Sequence, residues 1–251
     1  MPEGPRIRNY FLYIKPILDN ERIITHELLS GKYTTKKNIP NIEKLEDLKI
    51  KDVVLKGKTI FVKCENNISI VFVHGMTGYY STEKEKHSRF VLYLEDNNLY
   101  YNDPRNFGTI TVYTSDEDFI KAYNKLGPDI LNDHVSYVEF YSRIDKKLRL
   151  EIGSILLDQN IICGIGNYLR CDILWYCKIN HHKKIGSLTE DEKKLLYFAS
   201  INIIKYYADL DNNLAFEPDG DFFVYMQDED LYGNEVLREK YKGRTIHYVD
   251  W

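Results

Sequence analysis

Residues 2 and 3 of the chain, Pro2 and Glu3, set a secondary amine precursor beside a carboxyl group. Pro2 follows Met1, and a residue that small in second place permits removal of the methionine, which leaves proline's imino nitrogen as the N-terminus. An α-amino group titrates at about 7.7–8 in reference peptides, against about 10.4 for a lysine side chain, so a useful fraction is an uncharged nucleophile at neutral pH. Attack of a secondary amine on a carbonyl-type carbon gives an iminium ion, a strong electron sink. Glu3, next to it, can move protons. The same residues also suit an ordinary helix start, because proline is common in the first turn. On Met1–Pro5 alone both readings stand.

The elements that must position this amine are legible in outline. Ile7, Tyr10, Phe11, Ile14 and Leu18 recur at three- and four-residue steps, which predicts an amphipathic helix disturbed or ended near Pro16. From about residue 22 to 113 the pattern becomes short β-type runs, among them Ile23–Leu29, Lys58–Cys64, Ile68–Val73, Phe90–Leu94 and Thr109–Tyr113. Polar turns at Glu65-Asn66-Asn67 and Glu95-Asp96-Asn97-Asn98 divide them, which suits a β-sandwich or barrel. A short helix follows Ser115. Leu126-Gly127-Pro128-Asp129 breaks the pattern and reads as an interdomain linker over 126–135, after an N-terminal domain 1–125. The remainder, 136–251, reads as helical: Ser136–Ile144, Lys147–Leu157, Tyr168–Tyr176, and a long helix to about Tyr207 opened by the capping box Thr189-Glu190-Asp191-Glu192. The tail, Phe222–Tyr225 and Thr245–Val249, reads as a β-hairpin finger spanning about 222–251. The fold class expected is therefore α+β.

Four further segments stand out, each with a plain reading of its own. Lys58 in Lys56-Gly57-Lys58-Thr59-Ile60-Phe61 could be an exposed turn lysine at the start of a strand. In His74-Gly75-Met76-Thr77-Gly78, Met76 could be core and His74 an ordinary strand histidine. Asp103-Pro104-Arg105-Asn106-Phe107-Gly108 is a turn-forming run. Leu156-Leu157-Asp158-Gln159-Asn160 leads into Gly164-Ile165-Gly166-Asn167-Tyr168, where a lone Gly-x-Gly says little. Taken in order, however, and with Pro2-Glu3-Gly4-Pro5, these segments resemble the formamidopyrimidine-DNA glycosylase/endonuclease VIII family over nearly the whole chain.

The resemblance implies a bifunctional DNA glycosylase/AP lyase of base-excision repair, built as an N-terminal helix and β-sandwich followed by a helix–two-turn–helix domain. It implies Pro2 as the Schiff-base nucleophile at the sugar C1′, Glu3 as the acid/base that helps open the sugar, and Lys58 near the lesion's phosphate and sugar. Met76 would fill the hole left by the extruded base, a task that suits an unbranched, adaptable side chain. Arg105 would contact the orphaned opposite base and Phe107 would wedge into the stack, offsetting the cost of unstacking. Asn106 replaces a second arginine and would donate to phosphate. The glycines would let the backbone approach closely, with the following helix presenting N–H groups, and Asn167 its side chain, to a phosphate.

The tail has His247 but no cysteine after Cys177, so the family's four-ligand zinc finger is not available in the usual way. Gly243-Arg244-Thr245-Ile246-His247-Tyr248 instead resembles a zincless finger, with Arg244 as the finger arginine that grips phosphate by its planar fork of donors. Arg6 stands where bacterial members usually carry a glutamate, which removes or relocates that carboxylate's role. The loop at roughly Asn212–Asp221 is short, which favours the endonuclease VIII-like branch and oxidised pyrimidines.

Composition bounds the rest. No run of about 18 apolar residues and no charged-then-apolar leader is present, so an intracellular, non-membrane protein is expected, nuclear or cytoplasmic. The wealth of Lys, Asn, Ile and Tyr fits an AT-rich genome, and giant DNA viruses encode such homologues. Cys64, Cys163, Cys171 and Cys177 form no CxxC pair, which argues for free thiols and against a metal. The formal net charge of −4 does not advertise a nucleic-acid binder, but the charge is segregated, with basic groups at Arg143-Lys146-Lys147-Arg149, His181-His182-Lys183-Lys184 and Arg238-Lys240-Lys242-Arg244. The partner expected is damaged double- or single-stranded DNA, bound by a monomer without any cofactor. The alternative is a non-catalytic module that keeps the helix–two-turn–helix to bind damaged or single-stranded DNA, which retention of Met1 would favour.

Overall fold

The first helix, α1 (Gly4–Leu18), buries Ile7, Ile14 and Leu18 completely, as the three- and four-residue spacing requires. Pro16 lies inside its last turn, where the missing N–H forfeits a single bond, and Asp19 N–H closes the end on Lys15 O at 2.8 Å. The computed structural model of the protein describes residues 2–34, 39–212 and 222–251. They divide into two compact units: Pro2 with Arg6–Lys125, and Glu3–Pro5 with Leu126–Trp251.

The first unit holds β1 (Arg22–Leu28), β2 (Leu48–Lys56), β3 (Thr59–Cys64), β4 (Ser69–Val73), β5 (Tyr79–Ser81), β6 (Ser88–Leu94), β7 (Asn98–Asn102) and β8 (Thr109–Tyr113). All pair antiparallel, in the order β5-β7-β6-β1-β2-β3-β4-β8. β1 meets β2 over only Arg22↔Lys49 and Ile23↔Leu48, so the ladder folds there into a sandwich of two four-stranded layers. Ile60, Val62, Ile70 and Phe72 alternate into the core shared with Phe90, Leu92 and Tyr101. Phe61 points the other way, onto Phe119 and Tyr123 of α2 (Asp116–Lys125), which explains why β3 is apolar on both faces. Sequence periodicity named neither β2, β5 nor β7. β7 starts at Asn98, a residue read as turn, because the chain reverses over 95–97.

The second unit is helical: α3 (Tyr137–Ile144), α4 (Ile152–Ile155), α5 (Asn167–Tyr176) and α6 (Glu190–Asn212). Ser136 caps α3 by accepting from Glu139 N–H at 3.2 Å. The Thr189 box forms as expected: Thr189 N–H donates to Glu192 Oε2 at 2.9 Å, and Glu192 N–H to Thr189 Oγ1 at 3.2 Å. The helix expected over Lys147–Leu157 shrinks to α4, because Glu151 is extended and restarts the chain direction. Leu126–Asp129 is built into this unit. Gly127 N–H donates to Gln159 O, Cys163 N–H to Pro128 O, and a Cβ on Gly127 would lie 2.4 Å from the Ile161 backbone.

The tail hairpin is β9 (Leu237–Tyr241) with β10 (Arg244–Tyr248), not Phe222–Tyr225 with Thr245–Val249. Phe222–Tyr225 is drawn off by Asp172. This buried carboxylate accepts the N–H groups of Phe223, Val224 and Tyr225 and the hydroxyl of Tyr207. The loop at 213–221 lies outside the described residues.

Candidate active site

Helix α5 begins with no capping side chain of its own, since Gly166 is its N-cap. Its first-turn N–H groups still need acceptors. Glu3 supplies them: Gly166 N–H donates to Oε2 at 2.8 Å, Tyr168 N–H to Oε1 at 3.0 Å and Leu169 N–H to Oε2 at 3.3 Å. The carboxylate is 1 % exposed. Three donors and the positive end of the helix dipole stabilise negative charge there. Gly166 is glycine for a steric reason, because a Cβ would sit 2.2 Å from Glu3 Cδ. Gly4 N–H donates to Gly164 O at 2.9 Å, so both glycines of the Gly-x-Gly turn are shaped around Glu3-Gly4. The sequence reading reserved these N–H groups for phosphate; in the structure they hold the acid/base candidate. Gln159 braces the turn, donating to Leu157 O and Ile165 O and accepting from Gly164 N–H. Pro2, half-buried, directly precedes this anchored carboxylate.

Asn167 is 5 % exposed, and its amide donates to Thr245 O at 2.8 Å. Its carbonyl oxygen accepts from Arg170 Nη2, while Arg170 Nη1 donates to Gly153 O at 3.1 Å. Arg170, fully buried three residues after Asn167, was missed by the sequence reading; the spacing that puts the two on one helix face was its signal. This chain of bonds joins the N-terminus of α5 to β10, next to Arg244. The hairpin tip is Lys242-Gly243, both left-handed (φ 49° and 77°), as a two-residue type I′ turn requires. Arg244 follows it, exposed to solvent.

In the first unit, strand register assembles the other candidates. Thr59 pairs with Val73, and Val73 with Thr109. Lys58, the loop opened by His74 and the loop closed by Gly108 therefore leave the same end of one layer. Lys58, expected at the start of a strand after a Gly turn, is the second residue of the Gly57-Lys58 turn just before β3 and is half-buried rather than exposed. Gly57 takes the positive φ, 59°.

The two loops are cross-braced by Asp103, which is fully buried. Its Oδ1 accepts Thr77 Oγ1 at 3.0 Å, and its Oδ2 accepts Tyr33 Oη at 2.7 Å and Gly108 N–H at 2.8 Å. Thr77 Oγ1 in turn accepts Arg105 N–H at 3.2 Å. Gly75 (φ 60°) has no room for a Cβ, which would lie 2.5 Å from the Phe107 backbone. The bracing leaves Met76 half-buried and Arg105 and Phe107 exposed, the guanidinium 4.8 Å above the Phe107 ring. Asn106 sits between them in a left-handed conformation (φ 57°) that asparagine tolerates better than arginine. Tyr33 and Thr77 carried no sequence signal, since each acts only through a partner far along the chain.

No cysteine follows Cys177, so the tail by itself does not supply the family's four-ligand finger. Among the described residues, His247 is buried against the Tyr225 ring, and the cysteines all precede it; the last, Cys177, is itself buried. Residues 1–110 match the formamidopyrimidine-DNA glycosylase N-terminal domain, and residues 126–213 match the formamidopyrimidine-DNA glycosylase H2TH domain. The chain belongs to the formamidopyrimidine-DNA glycosylase family. It is 26% identical to the formamidopyrimidine-DNA glycosylase of Thermus thermophilus over 98% of its own length and 92% of the relative's. Identity to the Ligilactobacillus salivarius enzyme is 31%, over 83% of this chain and 76% of that one. The solved Thermus thermophilus Fpg structure superposes with a TM-score of 0.85 at 24% identity, covering 98% of this chain and 97% of that one. A Lactococcus lactis Fpg, solved in complex with abasic-site DNA, gives 0.83 at 21% identity, over 99% and 98% of the two chains. These likenesses establish the sandwich-plus-helices fold. No helix among the described residues is long and apolar enough to cross a membrane.

Proposed function

We propose that this chain is a base-excision repair glycosylase with AP lyase activity, acting on oxidised bases in DNA and preferring pyrimidines. The single observation that carries the reading is the capture of Glu3 by three N–H groups at the start of α5, which anchors a carboxylate one residue from Pro2. An ordinary helix start has no use for a buried carboxylate tied to a turn more than 160 residues away.

With Met1 removed, the Pro2 nitrogen attacks C1′ of the damaged nucleotide and the bond from C1′ to the base breaks. Glu3 relays the proton that opens the sugar ring, leaving an iminium between Pro2 and C1′. The iminium acidifies the C2′ proton; its loss expels the 3′ phosphate, and a second elimination expels the 5′ phosphate. Every step runs on this chain's own groups. Lys58 and Arg244 hold phosphates beside the lesion, and Asn106 steadies the backbone, whereas the buried Asn167 side chain is engaged with Thr245 O and Arg170 and sets the hairpin rather than the DNA. Met76 fills the hole left by the extruded base, Arg105 contacts the orphaned opposite base and Phe107 wedges into the stack, roles supported by the bracing that leaves Met76 half-buried and the other two exposed. The pyrimidine preference rests only on the expectation drawn from a short Asn212–Asp221 loop, which the start of β9 at Leu237 rather than Phe222 weakens.

Borohydride reduction on abasic-site DNA tests the reading. A covalent adduct is expected from protein whose measured mass lacks Met1, and none from a Met-retaining form, because an amide nitrogen cannot form the iminium. Absence of an adduct from the processed protein would overturn it. A panel of oxidised-base oligonucleotides, duplex and single-stranded, then reads the lesion preference.

A further inference from the structure

Away from the residues above, the second unit gathers a set of metal-type ligands. His181 and His182 lie in the connection after α5, and Glu239 is the third residue of β9; one ligand atom from each lies within 4.8 Å of the others. Glu239 Oε2 is 3.0 Å from His181 Nε2 and 3.1 Å from His182 Nε2. A single carboxylate oxygen thus faces two imidazole nitrogens at nearly the ligand-to-ligand spacing of a tetrahedral site. Two imidazoles and one carboxylate are a donor set that zinc accepts, with its fourth position left to water.

The surroundings point the same way. His182 Nδ1 lies 3.2 Å from Glu151 Oε1, and the other oxygen of Glu151 accepts the Tyr241 hydroxyl at 2.7 Å. A histidine that ligates through one nitrogen and donates through the other to a fixed carboxylate is the usual outer arrangement of a metal site. His181 is 2 % exposed, which holds one ligand rigid, whereas His182 is open to solvent and gives an entry path.

We propose that His181, His182 and Glu239 bind one zinc ion, which ties the β9–β10 hairpin to the body of the helical unit. Binding displaces any proton on the histidines, so affinity falls as pH falls. A cluster of hydrogen-bonded ion pairs would give the same distances, and the experiment separates the two.

Full-length protein stripped with a chelator is titrated with zinc chloride, by calorimetry and by competition with a zinc chromophore. One equivalent per chain is expected, with a rise in melting temperature on loading. H182A and E239Q, both at partly exposed positions, should each weaken binding at least about tenfold and abolish the rise, and E151Q should weaken it about 10- to 100-fold. Circular dichroism confirms that the variants fold. The borohydride adduct is read alongside, since neither His182 nor Glu239 is in the proposed catalytic set; its persistence separates this site from the glycosylase reading. Zinc that does not bind, or that binds equally well to E239Q and H182A, leaves an ion-pair cluster only and overturns the proposal.

Discussion

The Glu3 carboxylate accepts the Gly166 backbone N–H at 2.8 Å, across 163 residues of sequence. The turn before α5 thereby determines where the first residues of the chain lie, and a glycine that looks like a phosphate-loop residue is a socket for a carboxylate.

Gly166→Ala should therefore act on chemistry more than on stability. The new Cβ would fall 2.2 Å from Glu3 Cδ, so the carboxylate must move by an ångström or so. Displacement of that size at a reacting centre costs on the order of 100-fold in rate. Single-turnover borohydride trapping should show that loss while the circular dichroism spectrum stays native.

Asp103→Ala should loosen both loops of the first unit at once. It removes the acceptor of Thr77 Oγ1 and Gly108 N–H and one of the two acceptors of Tyr33 Oη, the other being Gly108 O, and leaves the buried Gly108 N–H without its partner. The loss should be about 2–4 kcal/mol in urea unfolding, accompanied by weaker binding of abasic-site duplex in fluorescence anisotropy. Tyr33→Phe, which deletes one donor, should cost less.

His74 sets a pH dependence. Burial among the rings of Tyr10, Tyr80 and Tyr101 pushes its pKa down to about 3, and both ring nitrogens lack hydrogen-bond partners. In the unfolded chain it titrates near 6.5. Its folded pKa is depressed, so the stability it contributes is intact above 6.5 and is lost as pH falls from there toward 3. The unfolded state alone takes up the proton in that window, at up to about 1.4 kcal/mol per pH unit. Urea midpoints measured from pH 7.5 to 5 should fall more steeply for the native protein than for His74→Leu.

Arg244→Ala should leave stability within about 0.5 kcal/mol, as for an exposed residue beyond a hairpin tip. Binding of abasic-site duplex should weaken across all sequences, and the salt slope of the binding constant should drop by about one. An unchanged slope would remove Arg244 from the phosphate contacts.

Much of the architecture was set by local chemistry. The spacing of Ile7, Ile14 and Leu18 makes α1, and the Thr189 box opens α6. The backbone N–H donors of that box lie three residues from their side-chain acceptors, so a linear reading captures them. Gly166, Asp103 and Asp172 were decided elsewhere. The carboxylate of Glu3, the bracing of Met76 and Arg105, and the pull of Asp172 on Phe222–Tyr225 each join groups 26 to 166 residues apart. No local pattern encodes such a pairing, because any buried carboxylate satisfies several donors equally well until packing brings one set within reach. Sequence alone thus determined which residue types were available for amine chemistry and what elements would carry them; only the folded chain decided which donors hold Glu3, because those donors lie more than 160 residues away.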